Sequence, residues 1–191
     1  ITDAKGDRSR KAHQQDDPDL YLRIVDRSSK GITVRGAKLH ISAAALVHEL
    51  VVMPTKSMRE AEADYAVSFS CPTNAPGVKI INRSFAPAKL NEFDYPASAH
   101  HSMPEGFVIF DDVFVPWERV FLAGEHRMAG VFARSLGLWE RTLGLLEAAE
   151  RAEQIIGLAL LVSEQQGKGG TPTVENAVAE LVCYAQMIRM S

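Results

Sequence analysis

The sequence is poor in cysteine, has no long apolar run and carries no large excess of charge. Its two cysteines, Cys71 and Cys183, lie far apart in the 191-residue chain. They are too few for a secreted disulfide scaffold and too sparse for a structural zinc site. No run of about 18 apolar residues predicts a membrane span. With 24 acidic and 21 basic residues, the chain lacks a basic surface for nucleic acid, and we expect a globular cytoplasmic protein.

The two ends of the chain indicate a piece of a longer protein. The chain begins at Ile1 with neither a methionine nor a signal peptide. It closes at Ser191 within a helical pattern that has no stop signal. A fragment is therefore the interpretation that these ends favour.

The first part of the chain has the pattern of a β-rich domain. Between about residues 20 and 122, short apolar runs rich in β-branched and aromatic residues alternate with glycine, proline and serine turns. Alternation within 31–38 predicts a strand with one wet face. The last predicted strand ends at Pro116, since proline is tolerated at strand ends but not in a central ladder. Six or seven such strands predict a small barrel or sandwich, and 43–50 fits either a helical turn or a strand.

From about residue 125 the pattern becomes helical. Apolar residues follow one stripe at spacings of three and four: Phe132, Leu136, Trp139, Leu143 and Leu146. The pattern continues to the glycine-rich break at 167–170, and its length indicates a bundle or an oligomer interface. A second helix is predicted to start at Thr171 and Pro172, because a capping-type residue precedes proline at the first helical position.

The densest polar segment is 2–9, which holds one glycine, two carboxylates, two cations and two hydroxyls. Gly6 permits a turn whose successive N–H groups cradle an anion. Lys5 and Arg8 have the charge to pair with a diphosphate, and Arg8 has the geometry for a bidentate contact. A solvated loop with mutually neutralising charges is the alternative, because Gly-Asp-Arg is common in turns.

Five blocks of the sequence resemble, in order and spacing, the 4-hydroxyphenylacetate 3-monooxygenase / 4-hydroxybutyryl-CoA dehydratase family: 1–9, 17–25, 31–38, 52–55 and 108–116. The resemblance implies an acyl-CoA dehydrogenase-like architecture, in which a β-barrel middle domain is followed by a C-terminal helical bundle. It makes 1–122 the flavin-binding β-barrel domain with an N-terminal loop, and 123–191 the start of the bundle. The family's N-terminal helical domain is expected to be missing from this chain.

The resemblance also implies a flavin site. Lys5, Gly6, Asp7 and Arg8 resemble a flavin-contacting loop. Ser42 stands four residues after the Gly-Ala-Lys motif, where relatives often have a threonine that touches the flavin. A hydroxyl there can bond a ring nitrogen or carbonyl. The alternative for Ser42 is a strand-end residue that bonds its own backbone.

Three further residues are implied near the substrate. Pro54 and Thr55 resemble a substrate-side loop, although a simple turn is equally consistent with them. Glu105 precedes an apolar strand, and in the dehydratase branch a glutamate at this place resembles an acid–base group. A carboxyl group beside an apolar strand can exchange protons with a substrate near neutrality. The alternative for Glu105 is a turn carboxylate in water.

The sequence predicts neither a metal site nor an iron–sulfur cluster. His100 and His101 are adjacent, and adjacent residues on a strand point to opposite faces. The dehydratase branch holds a [4Fe-4S] cluster with a histidine and a cysteine from its long helix, and here Glu140 and Glu147 occupy those places. Carboxylates are poor ligands for clusters that thiolates normally hold, so both glutamates are expected to be structural.

The resemblance implies a flavin-dependent oxidoreductase whose cofactor is FAD, or reduced FAD or FMN. The first interpretation is a monooxygenase-type enzyme that hydroxylates a phenol with reduced flavin from a separate reductase. The second is a dehydratase or isomerase acting on a CoA thioester, which Glu105 and 121–125 favour and the missing cluster ligands oppose. The third is a non-catalytic truncated fragment. The broad apolar surface of the long helix predicts a homodimer or homotetramer.

Overall fold

The computed structural model describes residues 2–4, 6–83, 91–100 and 103–191. The chain forms two compact units, Ile1–Arg134 and Ser135–Ser191. The described residues of the first unit form these strands: β1 (Thr2–Asp3), β2 (Arg23–Arg27), β3 (Gly31–Ser42), β4 (Glu49–Val52), β5 (Val67–Pro72), β6 (Val78–Arg83), β7 (Glu105–Pro116) and β8 (Val120–Ala123). Helix α1 (His126–Gln165) begins in this unit, and helix α2 (Pro172–Met190) belongs to the second.

The strands form two antiparallel sheets. The larger has the order β1-β3-β7-β6, with β2 also paired to β3, and the smaller has the order β4-β5-β8. The predicted order, a strand-rich part followed by helices, is confirmed. Among the described strands none pairs with both sheets, so the pairings do not close into a barrel, and barrel closure stays a prediction.

Both sheets contribute side chains to one apolar core. Ile32 and Val34 of β3 are fully buried, as the alternation in the sequence requires. Phe110 of β7 meets Phe69 of β5 edge to face, with ring centroids 5.6 Å apart. Such aromatic pairs add about 0.5–1.5 kcal/mol beyond their buried area, so this contact holds the two sheets together.

A bulge changes the face that β7 presents to the core. Asp112 has a left-handed φ of 53°, and the register with β3 shifts beside it. Phe110 is buried before the bulge and Val113 after it, so the buried positions change from even to odd. The Arg35 guanidinium donates two hydrogen bonds to Asp112, at 2.9 and 2.7 Å, and these contacts favour the strained backbone.

Two local predictions, the end of the strand at Pro116 and the structure of residues 43–50, can be compared with the structure directly. β7 ends at Pro116 as predicted, but it is not the last strand, because the short strand β8 follows it. Residues 43–50 realise both alternatives in turn, since Ala44–Leu46 is a 3-10 turn and β4 starts at Glu49. Short apolar runs do not separate these two structures.

The two helices follow their sequence signals. Helix α1 is 40 residues long, and the break after it contains Gly167 with a left-handed φ of 69°. Helix α2 begins at Pro172 with Thr171 as its cap residue. The Thr171 hydroxyl donates to the Lys168 carbonyl at 2.9 Å instead of capping the helix. In the part of the chain that the structure describes, no helix has the length and apolarity needed to cross a membrane.

Two glycine-to-alanine substitutions should have opposite effects on stability. Gly36 has a φ of 131°, and a Cβ there would lie 2.5 Å from backbone atoms of Tyr21 and Leu22. Gly36→Ala should therefore lower the free energy of unfolding by about 1–3 kcal/mol. Gly144 lies within α1, and a Cβ there meets no atom within 4 Å, so Gly144→Ala should raise stability by about 0.5–1 kcal/mol.

Urea unfolding of the two variants beside the parent protein measures both changes. The same reference residue and the same added methyl group make the pair a matched comparison. Equal effects of the two substitutions would contradict the left-handed conformation and the close contact at Gly36.

Candidate functional site

A buried ion pair joins β1 to β3. Asp3 and Lys38 are 5% and 3% exposed, and Lys38 Nζ donates to Asp3 Oδ1 at 2.5 Å. Lys38 also donates to the Met53 carbonyl at 3.0 Å, and the Thr55 hydroxyl donates to Asp3 Oδ2 at 2.5 Å. Three segments that are distant in sequence therefore meet at one polar cluster in the interior.

The charge of Asp3 is stabilised inside this cluster. Burial by itself would raise the pKa of Asp3, but the Lys38 charge and the hydrogen bonds from Lys38 and Thr55 outweigh it. The pKa of Asp3 is consequently held below its usual value. The carboxylate form of Asp3 is thus favoured, and the Lys38 ammonium group offsets its charge.

Sequence reasoning missed Asp3 and Lys38 as members of the site. The alternation in β3 could have predicted the burial of Lys38, because Lys38 is an even number of residues from the buried Ile32 and Val34 and so falls on the same face of the strand. A lysine on the inner face of a strand requires a buried acceptor, since an unpaired buried charge is very costly. Asp3, in the dense polar segment at the start of the chain, is that acceptor.

The first cleft, of about 370 Å³, opens beside the ion pair. It is lined by four cations together with hydroxyl-bearing residues and Asp3: Arg8, Arg10, Lys11, Lys56, Ser9, Tyr21, Thr55 and Asp3. Lys56 Nζ lies 4.5 Å from the centre of the Tyr21 ring. The predicted residues Arg8 and Thr55 therefore line one cleft, although they lie far apart in the sequence.

The cations of the first cleft differ in their partners. Arg10 pairs with Asp16 at 2.6 Å and with Asp7 at 3.3 Å. Lys56 Nζ lies 3.7 Å from a carboxylate oxygen of Glu62. Arg8 has no carboxylate partner among the residues that the structure describes. Lys11, which also lines this cleft, likewise has no carboxylate partner among the described residues. Arg8 and Lys11 are therefore the two cations of the cleft whose charges are most available to an anionic ligand.

The predicted flavin loop is held by its own hydrogen bonds. Asp7 Oδ1 accepts from the Ser9 hydroxyl at 2.6 Å and from the Ser9 backbone at 2.9 Å. These bonds hold the pKa of the Asp7 carboxyl below its usual value. Gly6 does not have a left-handed φ, so the anion-cradling turn that a left-handed glycine permits is not formed there. Lys5 lies outside the described residues.

The second cleft, of about 380 Å³, opens beside Lys38. Lys38 lines this cleft, whereas its partner Asp3 lines the first. Apolar side chains of β3 and β4 form most of the wall, and the polar residues are Lys38, His40, Ser42 and Glu49. Arg8 and Ser42, both predicted to contact flavin, therefore belong to different clefts that share one ion pair.

A second bulge turns Ser42 outward. The register of β3 with β7 shifts between Lys38 and Ile41, and His40 has a left-handed φ of 53°. Without this shift Ser42 would share the inner face with Lys38. With it, Ile41 packs against the core and Ser42 is exposed. Bulges commonly re-aim side chains next to functional sites.

The structure brings Ser42 and Glu105 together. They are register partners on β3 and β7, and the Ser42 hydroxyl donates to Glu105 Oε1. The other carboxylate oxygen of Glu105, Oε2, is buried and has no hydrogen-bond partner among the described residues. Two residues that the sequence pointed to separately thus form one unit, and Ser42 bonds Glu105 instead of its own backbone.

The remaining predicted residues have different environments. Pro54 is fully buried and lines neither cleft. Glu140 and Glu147 are exposed in the second unit, and Arg151 Nη2 lies 3.7 Å from Glu147. No group of three or more potential metal ligands occurs in residues 2–4, 6–83, 91–100 and 103–191. His101 lies outside these ranges.

Two relatives illustrate what the chain is similar to. It is 37% identical over 186 residues to the 4-hydroxybutyryl-CoA dehydratase/vinylacetyl-CoA-Delta-isomerase of Clostridium aminobutyricum, covering 95% of this chain and 38% of that protein. It is 30% identical over 191 residues to the 4-hydroxyphenylacetate 3-monooxygenase oxygenase component of Thermus thermophilus, covering 99% of this chain and 40% of that protein. The chain thus spans about two fifths of the length of these relatives.

Solved structures show the same similarity. An oxygen-tolerant archaeal 4-hydroxybutyryl-CoA dehydratase from N. maritimus superposes with a TM-score of 0.88 at 29% identity, over 97% of this chain and 38% of that one. The oxygenase component of 4-hydroxyphenylacetate 3-monooxygenase, complexed with FAD and 4-hydroxyphenylacetate, gives 0.86 at 29% identity, over 100% and 40%. The family profile described as 4-hydroxyphenylacetate 3-hydroxylase N terminal matches residues 1–122. The resemblance seen in the sequence is confirmed, and this chain belongs to the 4-hydroxyphenylacetate 3-hydroxylase family.

Proposed function

We propose that this protein is a flavin-dependent, monooxygenase-type oxidoreductase that uses FAD to hydroxylate a phenol. The observation that carries the proposal is the first cleft, where Arg8 lacks a carboxylate partner and stands beside Lys56 and Thr55. A relative that shares the fold over the whole chain is complexed with FAD and 4-hydroxyphenylacetate. As in the relatives named oxygenase components, reduced flavin would come from a separate reductase.

The residues of the two clefts fit the two chemically different parts of FAD. Arg8 and Lys56 supply charge for a diphosphate, and Arg8 has the forked donor geometry that phosphate oxygens require. Asp3 does not repel the phosphates, because Lys38 neutralises it. The apolar walls of the second cleft suit a flat aromatic ring, and Ser42 offers that ring a polar contact.

Bound reduced flavin would supply the activation of oxygen, which amino-acid side chains do not provide. The share of this chain is to bind and orient the cofactor. Arg8 and Lys56 hold the charged end, Ser42 and its partner Glu105 fix the polar contact to the ring, and the apolar wall of β3 and β4 excludes water. Thr55 lines the first cleft and is proposed to contact the substrate side.

The architectural part of the proposal follows the resemblance. Residues 1–122 are proposed as the flavin-binding domain, with the two sheets closing as a β-barrel. Residues 123–191 are proposed as the start of a helical bundle. A cytoplasmic location belongs to the same proposal. A homodimer or homotetramer is also proposed, because the apolar side chains of Trp139 and Leu146 in α1 are 70% and 65% exposed within the chain.

A second candidate is a dehydratase or isomerase acting on a CoA thioester. Glu105 favours it, because a buried carboxylate oxygen without a partner suits an acid–base group. Glu140 and Glu147 oppose it, because hard carboxylates stand where the resemblance implies cluster ligands. The third candidate is the non-catalytic fragment.

Removing the Arg8 side chain should weaken FAD binding. Arg8→Ala is expected to cost about 1–3 kcal/mol of binding free energy, the usual scale of a charged hydrogen bond. Fluorescence titration of the protein with FAD measures the change. Arg27→Ala is the matched control, because Arg27 pairs with Asp64 at 2.9 Å and lines neither cleft. If the two variants bind FAD with equal affinity, the loop that carries Arg8 is a solvated turn and does not bind the diphosphate.

Iron content separates the first two candidates. Protein purified without oxygen should contain neither iron nor acid-labile sulfide, because Glu140 and Glu147 are not thiolates. Iron and sulfide assays, together with the absorbance spectrum, provide the measurement. About four irons per chain would favour the dehydratase candidate and show that the assignment of these two glutamates is wrong.

A further inference from the structure

The two oxygens of the Glu105 carboxylate are in different situations. Oε1 accepts the hydrogen bond of the Ser42 hydroxyl, whereas Oε2 is buried and has no partner among the described residues. A carboxylate only accepts hydrogen bonds, and a serine hydroxyl has a single proton. The one proton of Ser42 is therefore directed to Glu105 across the β3–β7 pair.

The hydrogen bond to Glu105 determines whether Ser42 can act as a donor or an acceptor in the second cleft. A free serine rotates its hydroxyl and either donates to a ligand or accepts from it. Because its hydroxyl proton is donated to Glu105, Ser42 can only accept a hydrogen bond from a ligand. Ser42 is exposed and lines the second cleft, so a ligand in that cleft can reach the lone pairs of its oxygen. The cleft thus accepts a hydrogen bond at Ser42 and does not donate one.

Flavin changes its hydrogen-bonding character on reduction. In the oxidised ring the central nitrogen N5 has a lone pair, and two-electron reduction adds a proton that makes it an N–H donor. The Ser42 oxygen can accept a hydrogen bond from the N–H of reduced N5. In the oxidised ring, a lone pair of N5 faces a lone pair of Ser42, and the two repel each other. We propose that Glu105 is a positioning residue that fixes the Ser42 proton and thereby makes the site prefer reduced over oxidised flavin. This inference rests on the proposed function, because it requires flavin in the second cleft.

The charge of Glu105 acts in the opposite direction. A negative charge near the ring disfavours the electron-rich reduced flavin, so simple neutralisation would increase the preference for the reduced form. Loss of the hydrogen bond would decrease that preference. The sign of the effect therefore distinguishes the hydrogen bond to Ser42 from the charge alone.

Two substitutions at Glu105 separate these effects. Leucine is close to glutamate in size and has no acceptor, so Glu105→Leu frees the Ser42 hydroxyl. Glutamine keeps a carbonyl acceptor and lacks only the charge, so Glu105→Gln is the matched control. Ser42→Ala removes the contact itself, Ser42→Thr retains a hydroxyl, and the Ser42→Ala/Glu105→Leu double variant completes a cycle.

The measurement is the dissociation constant of oxidised FAD divided by that of reduced FAD, from anaerobic titration of each variant of the full chain. The parent protein should bind reduced FAD more tightly. Ser42→Ala should lower the ratio about 5- to 10-fold, the effect of one hydrogen bond. Glu105→Leu should also lower it, but by less, because the loss of the charge acts in the opposite direction. A tenfold change corresponds to about 30 mV in the two-electron potential of the bound flavin. Glu105→Gln and Ser42→Thr should not lower the ratio, and Glu105→Leu should not lower it further once Ser42 is alanine.

The outcomes separate this inference from the proposed function. If the parent binds FAD and the ratio does not change in Glu105→Leu and Ser42→Ala, the inference is overturned and the flavin site stands. If the parent binds neither form of FAD, the proposed function fails and the inference fails with it. If Glu105→Leu does not fold, the exposed position of Ser42 makes Ser42→Ala the deciding variant, and an unchanged ratio there overturns the inference.

Discussion

The buried ion pair of Lys38 and Asp3 is the interaction on which the arrangement of both clefts depends. A buried ammonium group is tolerated only with a closely placed carboxylate, and removal of one partner of such a pair typically costs about 3–5 kcal/mol. Strand β1 has only two residues, too few for backbone pairing alone to hold it. The ion pair therefore fixes the start of the chain against β3, and with it the loop that carries Arg8.

The same pair determines the electrostatic character of the clefts and its dependence on pH. Because the folded-state pKa of Asp3 lies below its ordinary value, the pair contributes its full stability above the unfolded value of about 3.9. That contribution is lost as the pH falls through the lowered pKa, when Asp3 takes up a proton. Protonated Asp3 would leave Lys38 as a buried charge without its counter-ion. The ion pair is thus weakened as the pH falls into the acid range.

The features that the sequence predicted are local ones. The alternation in β3, the length of α1 and the start of α2 at Pro172 follow from periodicity and from a proline at the first helical turn. The missed features depend on pairing between distant segments. Strand β8 is a four-residue segment recognisable only by its pairing with β5, and the contacts of Lys38 and Ser42 depend on residues far away in the sequence.

Bulges explain why strand β3 supplies both the interior and the site. A regular strand keeps every second residue on one face, so Lys38 and Ser42 would both point inward. The left-handed backbone at His40 inserts one residue and separates them. Lys38 then stays in the interior with Asp3. Ser42 is exposed at the second cleft, and its register partner on β7 is Glu105. One irregular residue thus moves Ser42 off the core face of the strand, and the pairing with β7 places its hydroxyl where it donates a hydrogen bond to Glu105.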